Sequence, residues 1–561
     1  MRTIITLALL VCLGTSRAVD AQVQAPDTIL INGRILTVDS QFSIREALAV
    51  RGGVVSAIGT TAEIRRLSSP STTVIDLQGR TVIPGLIDSH MHAIRAAQSF
   101  ATEVNWIGAR SLTDALARLR AAAARMTPGA WLIVAGGWTE RQFAENRAPT
   151  QAEITAAAPN NPIYVQLGYR WAVLSPRALD ALKIAADGDV PSGARLERTP
   201  TGQLTGAVAG SQPGIVALFD RLPKPTYQQK VDGTIEFFRE LNRLGLTGVV
   251  DPGGNNLLPT DYEPLFDVWR QRKMTVRVAY ALCSQTTGSE LDELKQLTTL
   301  LPMGFGDAML RFNGIGERLT TAMYNNDSPT DADKERFHEL AKWAAQRGVT
   351  LTIHWGRDAA VGQLLSIFER VNREVPLAPL RWSIAHLDDA SDATLQRMKA
   401  LGIGWTMQDA MYFGGDQFLQ QRGRDAAART PPLVTARRLG VQVGAGTDAH
   451  RVASYNPFTA LQWILDGKTV GGTEMRGAAE TPTRADALRL YTIGSAWFSH
   501  DDRVRGSLET GKLADLAVLS ADYMTVPVRE IGALESLLTM VGGAITYAAG
   551  PYTRFTASAT R

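Results

Sequence analysis

Ile83-Pro84-Gly85-Leu86-Ile87-Asp88-Ser89-His90-Met91-His92 is an apolar run that ends in a His-x-His pair. Residues two apart in an extended chain face the same side, so His90 and His92 can reach one ion. Alone the pair is weak, because two solvent-facing histidines give the same pattern. Its weight comes from what stands elsewhere. His354 follows Thr350-Leu351-Thr352-Ile353, His386 follows Trp382-Ser383-Ile384-Ala385, and Asp448 follows Val443-Gly444-Ala445-Gly446-Thr447. Each is a metal-capable side chain at the end of a β-like run. The chain has only 7 histidines, and four of them occupy such ends.

Working outward, β-like runs at 81–87, 246–250, 276–282, 309–315, 350–353, 382–385, 402–407 and 441–447 alternate with helical patterns. One such helix is expected from Asp331 to Arg347, with Phe337, Leu340, Ala341 and Ala344 on one face. Eight such strands with intervening helices predict an α/β fold, a (β/α)8 TIM barrel, whose C-terminal face collects catalytic groups. The first two strands lie far apart. The gap holds strand-like runs at 131–135 and 162–167, so 101–222 is expected to be an insertion within a barrel domain spanning 83–496, lying over the barrel mouth. Short β-like runs with turn residues at both ends, 22–82 and 497–561, are expected to pair as one small β-sandwich.

The 561 residues carry a formal net charge of +3 without a basic run, which argues against a nucleic-acid partner. Residues 1–21 read as an export signal: Arg2, a short apolar core from Ile4 to Gly14, and a small residue, Ala21, before Gln22. The apolar run is shorter than the roughly 20 residues of a membrane span, so no stable membrane insertion is expected after cleavage. The expected location is periplasmic or secreted. Only Cys283 remains in the mature chain, so an intrachain disulfide is excluded.

With these residues in place the chain resembles the amidohydrolase superfamily, in its family 3 branch. The likeness rests on Pro84-Gly85-Leu86-Ile87-Asp88-Ser89-His90-Met91-His92, His354-Trp355-Gly356-Arg357-Asp358, Ile384-Ala385-His386, Gly446-Thr447-Asp448 and Gly506-Ser507-Leu508-Glu509-Thr510-Gly511-Lys512-Leu513-Ala514-Asp515. It implies that the histidines bind one or two divalent ions and that Asp448 transfers the proton beside the attacking water. Many relatives place a lysine at the end of the fourth strand. Here that stretch reads Arg311-Phe312-Asn313-Gly314-Ile315-Gly316-Glu317, which makes Glu317 the candidate bridge. Relatives also often carry Gly-His in the insertion, where this chain has Gly168-Tyr169-Arg170-Trp171.

The expected ligands are therefore His90, His92, Glu317, His354, His386 and Asp448, with zinc as the expected ion, since imidazole and carboxylate suit it. The expected reaction is cleavage of a C–N bond in an amide or cyclic amide by a metal-activated water, with Asp448 as the proton carrier. Ester, carbamate or organophosphate hydrolysis and a metal-containing binding protein without turnover are the competing readings. Trp138, Tyr169, Arg170, Trp355, Tyr412 and His450 are candidate contacts for a small-molecule substrate, although packing explains most large aromatics. A homo-oligomer stays open.

Overall fold

The computed structural model describes residues 24–254 and 257–556. The expected export signal lies outside the described residues. Among them, no helix is long and apolar enough to cross a membrane.

Eight parallel strands form the central sheet: β1 (Leu86–Asp88), β2 (Leu246–Asp251), β3 (Arg277–Leu282), β4 (Leu310–Glu317), β5 (Leu351–Trp355), β6 (Ser383–His386), β7 (Gly404–Gln408) and β8 (Val443–Gly446). They are hydrogen-bonded in that order. Backbone bonds across the seam bring β8 to β1: Ser89 N donates to Ala445 O at 3.0 Å and Asp448 N to His90 O at 2.8 Å. The expected (β/α)8 barrel is therefore present. Its outer helices use the predicted logic: in the helix Asp331–Gln346, Phe337, Leu340, Ala341 and Ala344 are buried, and Thr330 caps the first turn with Asp333.

The first strand departs from expectation. Residues 81–87 do not run as one barrel strand. Thr81–Pro84 joins a different sheet, pairing with Arg34–Leu36 and Leu516–Leu519, and only Leu86–Asp88 enters the barrel. Gly85 makes the change in one residue, and a Cβ there would fall 2.2 Å from the Thr247 hydroxyl. Near the C-terminus, Ser536–Val541 and Ala544–Ala548 form a hairpin around Gly542-Gly543, both with positive φ.

The chain ends build a β-rich unit of two sheets. One contains Val54–Gly59, Ala47–Arg51, Thr28–Ile31 and Thr73–Asp76. The other joins three C-terminal strands to Thr81–Pro84, Arg34–Leu36 and Ile44–Arg45. Leu30, Leu48 and Ile75 from the first sheet share a buried cluster with Val82, Val518 and Leu538 from the second. The buried Arg277–Asp515 pair, 2.7 Å from Nε to Oδ2, ties this unit to β3.

Between β1 and β2 the chain forms a separate five-stranded sheet: Ala194–Arg198, Leu204–Gly210, Trp171–Leu174, Ile163–Leu167 and Leu132–Val134. It reaches the loop after β8, where Gly137 N donates to Arg451 O at 3.2 Å and the Glu103 carboxylate accepts from Arg451 Nη1 at 2.9 Å. The insertion thus abuts the C-terminal face of the barrel.

Candidate metal centre

Strand ends converge on one carboxylate. Glu317 closes β4, and its Oε1 lies 3.1 Å from His354 Nδ1, 3.4 Å from His90 Nε2, 3.7 Å from His92 Nε2 and 3.8 Å from His386 Nε2. Asp448 Oδ1 stands 3.1 Å from His92 Nε2 and 3.7 Å from His90 Nε2. These side chains fall into two donor sets that share Glu317: His90, His92, Glu317 and Asp448 in one, Glu317, His354 and His386 in the other. All six predicted residues are brought together.

The backbone is held in unusual conformations to do this. Glu317, His386 and Asp448 have φ of 31°, 69° and 54°. Left-handed backbone costs a residue with a side chain on the order of 1 kcal/mol, and such strain clusters at functional sites. Gly446 permits a close crossing, because a Cβ there would lie 2.6 Å from both Asp88 Oδ1 and His90 N.

Hydrogen bonds behind the cluster aim the rings. His92 Nδ1 lies 2.7 Å from the Gly253 carbonyl. A carbonyl only accepts, so Nδ1 carries the proton and Nε2 faces the cluster. Asp88 accepts from His90 N at 2.9 Å and from the Thr447 hydroxyl at 2.8 Å, which locks β1 to β8 beneath the site. Asn325 Nδ2 lies 2.8 Å from His354 Nε2, and the Tyr324 ring stacks on His354 at 4.6 Å between centroids.

The electrostatics are those of a cation site. Burial and the neighbouring His386 favour the neutral form of His354, and burial pushes His90 down to about 4 despite Glu317. Burial also opposes charge on His92, but Glu317 and Asp448 outweigh it and lift His92 to about 10. Burial would raise both carboxylates, yet His92 and the other imidazoles hold Glu317 well below the usual range and Asp448 at about 2. Two anions packed among imidazoles call for positive charge between them.

The donor chemistry fits a divalent ion. Both ring nitrogens of buried His90 lack a hydrogen-bond partner among the described residues, a costly state for a polar group that serves no ligand. His386 Nε2 and His354 Nδ1 are 2.8 Å apart, a separation that needs a proton or a cation between two lone pairs. Nitrogen and carboxylate oxygen are ligands for zinc and similar ions.

The outer candidates fare differently. Trp355 is buried in the barrel core, on the opposite side of β5 from His354, as strand alternation requires. Trp138 packs with Trp106 and Phe143 inside the insertion and donates to Gln166 O at 2.8 Å. The burial of these two candidate substrate contacts is that of core residues. Arg170 is turned outward into an exposed pair with Glu140 at 2.8 Å. Tyr412 packs at the edge of the barrel core beside Phe413. His450 is buried, with Nε2 3.1 Å from Glu103 Oε2. Tyr169 is half-buried and is an electrostatic neighbour of Arg95. Arg95, Asp88, Asn325 and Glu103 escaped the sequence reading. Only Asp88 left a signal, since it shares the alternating face of His90 and His92. A cavity of about 650 Å³ lies at the other end of β8, beside Gln442 and Val443, and none of the cluster residues lines it.

Comparison with known proteins agrees with this geometry. The amidohydrolase family profile matches residues 73–547. N-substituted formamide deformylase of Arthrobacter pascens is 26% identical over 546 residues, covering 93% of this chain and 99% of the relative. Protein LONG AFTER FAR-RED 3 of Arabidopsis thaliana is 25% identical, covering 93% and 91%. An uncharacterized metal-dependent hydrolase of Pyrococcus horikoshii superposes with a TM-score of 0.64 at 20% identity, covering 90% of this chain and 99% of that one. Atrazine chlorohydrolase of Arthrobacter aurescens, complexed with zinc, gives 0.52 at 17%, covering 94% and 96%. The last two speak for the fold. The chain belongs to the amidohydrolase family, in its family 3 branch, and is a metal-dependent hydrolase acting on carbon–nitrogen bonds.

Proposed function

We propose that the chain hydrolyses the C–N bond of an amide or cyclic amide at a centre of two divalent ions, zinc being the best suited. The observation that carries this reading is the single carboxylate oxygen of Glu317 set 3.1 to 3.8 Å from four imidazole nitrogens of two donor sets. His90, His92 and Asp448 would hold one ion, His354 and His386 the other, and Glu317 would bridge. When bound, the metal supplies a Lewis acid and a water acidic enough to attack near neutral pH.

Asp448 does the proton work. Its carboxylate is held ionised by His92 and the other histidines, so it is free to accept the water's proton and pass it to the leaving nitrogen. The Asp448 backbone, bonded through its N–H to His90 O, keeps that carboxylate against the cluster. The relative named as a formamide deformylase favours amides among C–N substrates. The family expectation of a small-molecule substrate and the insertion against the barrel mouth support a closed site for one small amide. We also propose export with cleavage before Gln22, which N-terminal sequencing of the secreted or periplasmic protein tests.

The experiment is turnover of an amide panel against an ester panel by wild type and Asp448→Asn, each with its metal content measured. Amide turnover that falls by at least about a hundredfold in the Asn variant with metal retained supports the reading, that being the usual range for a general acid–base group. Unchanged turnover refutes the role of Asp448, and turnover of esters alone refutes the reaction class.

A further inference from the structure

Arg95 stands three residues past His92, in the first turn of the helix Ala93–Phe100. Its surroundings are acidic and close to the cluster: Tyr169, Glu317, Asp448 and Asp251 all act on its guanidinium. Among the described residues it nevertheless makes no ion pair, and its buried Nε has no hydrogen-bond partner. Asp251 does not serve it. That carboxylate accepts from Ile94 N and Gly253 N, at 2.8 Å each. Three other arginines near the mouth are committed elsewhere: Arg170 to Glu140, Arg357 to Asp327 and Arg451 to Glu103.

A Cβ on Gly254 would stand 3.5 Å from His92 Nδ1 and 3.8 Å from Arg95 Nη1, so the guanidinium and the His92 ring border the same residue. A partly desolvated guanidinium without a partner is costly, and a planar anion that takes two parallel N–H bonds is its best complement. An uncharged amide would leave that charge unmatched.

We propose that Arg95 binds a carboxylate of the substrate, so that the amide cleaved at the cluster carries an anionic substituent. For the reaction this rests on the function proposed above, but the anion subsite is a separate claim.

The test is calorimetric titration of metal-loaded wild type, Arg95→Gln and Arg95→Lys with acetate, succinate, benzoate and N-acetylglycine, each beside an uncharged amide twin. Metal content and melting temperature are measured for all three proteins. At least one carboxylate should bind wild type more tightly than its twin. Its affinity should fall by about a hundredfold in the Gln variant, as expected for a charge-assisted pair, and by less in the Lys variant. The twins should bind all three alike. Carboxylates that bind no better than their twins, or that bind the Gln variant as well as wild type through the ions alone, overturn the proposal. Equal weakening of charged and uncharged members would assign Arg95 a structural role and also overturn it. Arg95-dependent carboxylate binding without any amide turnover would refute the proposed reaction and leave the subsite standing.

Discussion

Replacing Glu103 by Gln removes the anion that clamps the insertion onto the loop after β8. The carboxylate accepts from Arg451 Nη1 at 2.9 Å and faces His450 Nε2 at 3.1 Å, with its side chain 9% exposed. Burial would raise its pKa, but Arg451 and His450 bring it from the ordinary 4.5 down to about 2. Each unit corresponds to about 1.4 kcal/mol, so the ionised group contributes roughly 3 kcal/mol at neutral pH. A lowered carboxylate pKa means that the unfolded chain binds the proton first. The contribution is therefore complete above about pH 4.5 and is lost as the pH falls toward 2. Urea unfolding followed by tryptophan fluorescence, to which Trp106 and Trp138 of the insertion core contribute, reads the loss. Glu103→Gln should cost about 3 kcal/mol at pH 7.5, more than a surface pair would, and distinctly less at pH 3. An equal loss at both pH values would show that the cost is lost packing and would refute the electrostatic account of the clamp.

Two further substitutions probe the centre from behind. Gly446→Ala puts a methyl 2.6 Å from Asp88 Oδ1 and His90 N, so it should displace His90, weaken metal retention and cut turnover by at least about tenfold. Metal content by elemental analysis checks it. Asn325→Ala leaves His354 Nε2 without its 2.8 Å partner, and metal affinity measured by competition with a chelator should fall about 10- to 100-fold, with the melting temperature of the chelated protein unchanged.

The barrel was readable because each ligand follows a β-like run directly, so the end of the run and the chemistry mark the same place. His90, His92, His354, His386 and Asp448 were readable for that reason, and Glu317 through the family resemblance, which points to the end of the fourth strand. Where one run served two sheets, as at Gly85, apolar continuity hid the break. Three insertion strands, Trp171–Leu174, Ala194–Arg198 and Leu204–Gly210, were missed because they are short or interrupted by polar residues and glycine. Trp355 was misplaced against the period of its own strand, since a neighbour of an inward His354 must point outward. Glu103 and His450 lie 347 positions apart, and Asn325 meets His354 across a loop, so no local pattern could announce either contact. Arg95 left no signal because its distinction is the lack of a partner, which only the folded surroundings reveal.

The central claim is that Glu317 is shared by two ions. Metal counted per chain in wild type and in Glu317→Gln, by elemental analysis after dialysis at neutral pH, tests it most directly. The account predicts two ions in wild type and a clear loss in the variant, whose neutral amide no longer offsets two cations among four imidazoles. A wild type that holds one ion, or a Gln variant that keeps two with undiminished affinity, would contradict it.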